Sequence, residues 1–119
     1  MKSLLFSLVF VFIGFVSYSQ EATAPSAEAF KKSVIDGNIA MILPAEITAD
    51  AVTNYSKYYT AYFSTSFDEN KHEVTFNMVN NDAKSRRVII RFLSANGIQF
   101  AKVGKKSLPL ANFYDAYLK

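Results

Sequence analysis

A chain of 119 residues supports one domain and no more. It has no cysteine and one histidine, which excludes thiol nucleophiles, thiolate metal sites, redox pairs and His-rich metal clusters. The formal charge of +3 is modest but unevenly placed: residues 20–83 carry four lysines against nine acids, and residues 84–119 carry eight cations against one acid, Asp115.

The chain opens with the cationic Met1-Lys2-Ser3. A nearly unbroken apolar stretch follows from Leu4 to Val16, and Ser17-Tyr18-Ser19 then puts small residues at the two positions a signal peptidase reads. This is the pattern of a cleaved secretory signal peptide, residues 1–19. The apolar stretch is shorter than the roughly 20 residues a membrane-spanning helix needs. The expectation is an exported protein, periplasmic or extracellular, with no transmembrane segment after cleavage. Small and polar residues over 20–25 predict a flexible leader, and 26–119 is expected to form a single α+β domain.

Ser26 is placed to cap a first helix whose Ala27, Phe30, Val34 and Ile35 share a face, with Gly37 as its stop. The apolar run 39–43 before Pro44 reads as a buried strand or an extended link. Thr48 caps a second helix reaching about Tyr59. Its Val52, Tyr55 and Tyr59, with Tyr62 beyond them, recur at helical spacing and read as a packing stripe. Two segments of strict alternation follow, Ala61 to Phe67 and Glu73 to Met78, joined by polar Asp68-Glu69-Asn70-Lys71; they predict a hairpin over 61–79.

Asn80 or Asn81 can cap the next helix, with Asp82 in its first turn and Gly97 as its stop. Val88, Ile89, Phe92, Leu93 and Ala95 then share one face, and Lys84, Arg87, Arg91 and Ser94 another. A strand over 87–93 turning at Asn96-Gly97 is the competing reading, but alternation would mix arginines with large apolar groups on one face. A strand is expected over 98–103, then a turn at Gly104-Lys105-Lys106 and a short return strand. Pro109 opens a last helix with an apolar stripe of Leu110, Phe113, Tyr114, Tyr117 and Leu118. The fold expected is a two-layer α+β domain. Its small, mainly antiparallel sheet is the hairpin 61–79 plus strand 98–103, covered by three to four helices. The hairpin–helix–strand order is similar to split βαβ folds, a likeness of fold that implies no function.

His72 stands beside Asp68, Glu69 and Glu73, yet no motif supplies a nucleophile or an oxyanion site, so it reads as a solvated histidine at a hairpin end. The same acidic loop lacks the ligand spacing of a dedicated calcium site. No catalytic residue, metal ligand or cofactor is assigned. The candidate site is basic: Lys84, Arg86, Arg87, Arg91, Lys102, Lys105 and Lys106 form one positive surface if strand 98–103 lies beside the preceding helix. Guanidinium groups suit phosphate, sulfate or carboxylate, so the partner expected is an anionic envelope component or an acidic protein. Nucleic acid is disfavoured by the lack of a recognition motif. The function expected is that of a small exported non-catalytic binding protein. The alternatives are an adaptor or inhibitor using the aromatic surface of Tyr55 to Tyr62, or a small hydrolase using His72.

Overall fold

The computed structural model describes residues 21–119; the signal-peptide reading of 1–19 and residue 20 lie outside them. The first described residues already correct an expectation. Glu21–Ala24 form strand β1 rather than a flexible leader, pairing in parallel with a later strand and in antiparallel fashion through Thr23 opposite Ile42. Ala22 and Ala24 are buried. Alternating Ala with Glu and Thr carries little apolar signal, so this strand owes its existence to neighbours on both sides.

Helix α1 (Ala27–Asp36) starts where the Ala29 N–H donates to Ser26 Oγ. It ends where Gly37, at φ 80°, donates its N–H to Ser33 and Val34 carbonyls. Strand β2 (Asn38–Ile42) resolves the ambiguous apolar run as a strand, with Ile39 and Met41 buried. Helix α2 (Ala49–Ser56) is capped by Thr48, whose hydroxyl accepts the Ala51 N–H at 3.1 Å, and tightens into a 3-10 turn, Lys57–Tyr59. The expected hairpin follows as β3 (Phe63–Asp68) and β4 (Glu73–Met78), in register along all six residues.

Helix α3 (Ala83–Ala95) is a helix, as the apolar periodicity requires, and its cap is Asp82. A carboxylate is a good acceptor for first-turn amides, and Asp82 Oδ1 takes the Ser85 N–H at 2.7 Å. Asn81, the expected cap, serves another helix: its Nδ2 donates to Val34 O at 2.8 Å and Ile35 O at 3.1 Å, closing the last turn of α1. Strands β5 (Phe100–Val103) and β6 (Lys106–Pro109) form a second hairpin. Pro109 ends β6, and helix α4 (Leu110–Phe113) begins after it and widens into a π turn, Tyr114–Leu118.

The six strands form one mixed sheet in the order β3-β4-β2-β1-β5-β6, with β1 and β5 as its parallel neighbours. The α+β, two-layer reading stands, with a sheet wider than the hairpin and one strand expected. Alternate residues of the strands point into a single core, including Ala22, Ile39, Met41, Phe63, Val74, Phe76, Ala101 and Val103. From α3, Val88, Ile89, Phe92 and Leu93 meet them, none more than 5% exposed. Phe92 lies edge-on to Phe76, Phe63 and Tyr59, with ring centroids 5.2, 6.1 and 6.4 Å away. The opposite face of the sheet is open. One row crosses all six strands there, Asp68–Glu73–Ile42–Thr23–Lys102–Ser107, and none of these residues is buried.

Candidate functional site

The seven cations singled out from the sequence do not form one surface. Helix α3 packs on β4, α2 and the C-terminal π turn, whereas β5 and β6 make the opposite edge of the sheet. Lys102 alternates with buried Ala101 and Val103 and so emerges on the open face, away from the helices. Lys105 lies in the β5–β6 turn, where the preceding Gly104 donates its N–H to Ala24 O, and Lys106 opens β6 opposite Val103. The condition for one surface was that strand 98–103 lie beside α3; strands β2 and β1 lie between β4 and β5 instead.

Arg86 has a structural role. Its Nε donates to Leu118 O at 2.6 Å and its Nη1 to Asn81 Oδ1 at 2.8 Å, so the guanidinium ties α3 to the C-terminal turn and, through Asn81, to the end of α1. Multiple donors in a planar fork make arginine suited to such a junction.

Lys84, Arg87 and Arg91 remain together. They occupy one exposed face of α3, at positions i, i+3 and i+7, and span about 10 Å along the axis at 1.5 Å per residue. With Tyr62 and Val88 they line a groove of about 390 Å³. Arg87 also borders a second groove of about 340 Å³, lined by Ile90, Ala111, Tyr114, Asp115 and Lys119. Its guanidinium carbon sits 5.5 Å from the Tyr114 ring centre, a cation–π contact that restrains the side chain. Tyr114 is itself held, its hydroxyl donating to Ala83 O at 3.2 Å. At the head of α3 the Asp82 carboxyl is held below its ordinary value of 3.8, first by the Ser85 backbone N–H and then by the Ser85 side chain, against an opposing cost of desolvation, with Arg86 and Lys84 making smaller contributions in the lowering direction.

Tyr62 is the groove residue that the sequence reading misplaced. Of the expected packing stripe, Val52 is buried and Tyr59 reaches the core, stacking near Phe63 and Phe92. Tyr55 and Tyr62 are instead 37% and 36% exposed, and Tyr58 is 78% exposed. For Tyr62 the reason is the 3-10 turn at Lys57, which breaks the 3.6-residue period from which the stripe was drawn; Tyr55 lies before that turn, in the regular helix.

The other candidates have local explanations. Asp68 Oδ1 accepts the N–H groups of Asn70 and Lys71 at 2.9 and 3.2 Å, so it shapes the hairpin loop as an Asx turn. His72 adopts a left-handed conformation, φ 55°, and its carbonyl accepts the Leu43 N–H at 2.9 Å. It is not the freely solvated histidine expected. Its ring lies edge-on to Phe67 at 5.0 Å, and its Nε2 is buried without a hydrogen-bond partner among the described residues. No group of three or more His, Asp or Glu that could hold a metal occurs among the described residues.

No protein-family model matches the chain, and comparison with curated proteins and with solved structures gives no match.

Proposed function

We propose that the protein is a small, exported, non-catalytic binding protein that holds an anionic partner on the outer face of α3. One observation carries this reading: Lys84, Arg87 and Arg91 share an exposed helix face and line, together with Tyr62, a concave groove. Three like charges along one wall raise the local potential and attract anions by an interaction that salt screens. Two of the three are arginines, whose forked donors match carboxylate, sulfate and phosphate oxygens. Export rests on the signal-peptide pattern of 1–19.

The test compares elution salt from a sulfated-polysaccharide matrix for two charge-reversed pairs. Arg87→Glu with Arg91→Glu alters the groove, and Lys102→Glu with Lys106→Glu makes the same change in total charge elsewhere. The groove pair is expected to elute at markedly lower salt and the other pair near the unaltered protein. Equal shifts from both would mean that total charge alone governs binding, and the reading would be abandoned. The exposure of Tyr58 and of Val79, 61% exposed, favours a second reading as an adaptor binding through its aromatic surface. A partner held that way stays bound at high salt.

A further inference from the structure

The three groove cations form a row, and one aromatic side chain, Tyr62, lines the same groove. Lys84, Arg87 and Arg91 step along α3 by about 4.5 and 6 Å. Tyr62 belongs to the turn that leads into β3 and is 36% exposed. Tyr59, three residues before it, turns inward onto Phe92, with ring centroids 6.4 Å apart. Resting on the anion-binding reading, we infer that the groove takes a linear acidic polysaccharide. Lys84, Arg87 and Arg91 pair with successive anionic groups, and Tyr62 offers its ring to a sugar between them.

A row of cations fits charges repeated along a chain better than it fits one isolated phosphate, which would favour donors converging on a point. A tyrosine exposes a flat apolar ring and a hydroxyl, matching a pyranose, which has C–H groups on its face and hydroxyls at its rim. The groove volume of about 390 Å³ falls within the range of small-ligand sites, roughly 300–1,000 Å³. A bilayer surface is flat and fits a concave site poorly. Val79 is the exposed aliphatic side chain next to Tyr62, to whose carbonyl its N–H donates, and one valine is a small wedge for insertion.

The experiment is isothermal titration of the mature protein with a hexamer of galacturonic acid, a neutral glucose hexamer and phosphatidylglycerol vesicles, at low and high salt. Binding of the acidic hexamer and not the neutral one is expected. Tyr62→Ala should weaken that binding about three- to tenfold, the loss of one stacked ring, and Tyr62→Phe should restore it. Tyr62 is 36% exposed and stands outside the core cluster, so the variant keeps its fold, which circular dichroism verifies. Unchanged affinity in Tyr62→Ala, with binding abolished by Arg87→Glu and Arg91→Glu, overturns the polysaccharide assignment and leaves the anion site standing. Tighter binding to vesicles than to the hexamer overturns it in favour of a membrane surface. Salt-sensitive self-association in sedimentation without hexamer binding overturns it in favour of a second copy, whose acidic hairpin tip would occupy the groove. Indifference to charge reversal removes both readings.

Discussion

Phe92→Ala tests the core argument most directly. The ring is fully buried and meets three aromatic neighbours edge-on, Phe76 at 5.2 Å, Phe63 at 6.1 Å and Tyr59 at 6.4 Å. Removing it forfeits a burial contribution of about 1.5–3 kcal/mol. It also leaves a cavity and breaks edge-to-face contacts worth about 0.5–1.5 kcal/mol each. Those contributions overlap, and the total for Phe→Ala in a core that collapses only partly is about 3–5 kcal/mol. Domains of this size hold roughly 5–15 kcal/mol in all, so the variant should sit near the edge of folding. Phe92→Leu keeps most of the volume and loses mainly the aromatic pairing, and should cost about 1–2 kcal/mol. The assay is urea unfolding followed by far-ultraviolet circular dichroism, with both variants fitted at a common slope. A loss under about 1 kcal/mol for Phe92→Ala, well below the range for a buried ring, would mean that α3 does not seat its apolar face on the sheet. The orientation of Lys84, Arg87 and Arg91 would then have no basis.

Arg86 and Arg91 should separate stability from binding. Arg86→Ala breaks two hydrogen bonds from a charged donor and should cost about 1.5–3 kcal/mol in the same unfolding assay, whereas exposed Arg91→Ala should fall within about 0.5 kcal/mol of the unaltered protein and weaken anion retention. Asp82→Ala should lower the melting temperature at neutral pH, because the Ser85 N–H loses its acceptor. The folded carboxyl titrates below 3.8, so its stabilisation is full above that value and is lost as pH falls through the lower folded value; thermal melts of the two proteins should therefore converge in strong acid, and a gap independent of pH would show that the cap acts otherwise than through its ionised form.

The helices and the β3–β4 hairpin are legible in the sequence because their signals are local. Ser26 and Thr48 cap where short polar side chains precede periodic apolar residues, and Val74, Phe76 and their neighbours alternate cleanly. The face of α3 could be read as well: Val88, Ile89, Phe92 and Leu93 are buried on one side and leave the cations no place but the other, while Ala95, expected on the apolar face, is exposed in the last turn. The site was legible only in part. Lys84, Arg87 and Arg91 are close because they share a helix, and helical spacing is written in the numbering. Tyr62 was misassigned because a 3-10 turn shifts the period, and the residues of that turn, Lys57-Tyr58-Tyr59, carry no breaker that would announce it.

By itself the sequence determined the helices, the β3–β4 hairpin, the side of α3 that seeks the core, and that thiol and His-cluster chemistry are absent. The tertiary structure decided the order of the strands, and with it the position of every residue relative to residues far away in the chain. Glu21–Ala24 became an interior strand only because β2 and β5 flank it. The same insertion of β1 and β2 between β4 and β5 parted Lys102, Lys105 and Lys106 from the α3 cations. Asn81 was drawn to the carbonyls of α1, 46 and 47 residues away, rather than to its own helix. The physical reason is common to all three: backbone propensity and apolar period act over a few residues, whereas strand pairing and long-range hydrogen bonds are chosen by how the whole core closes.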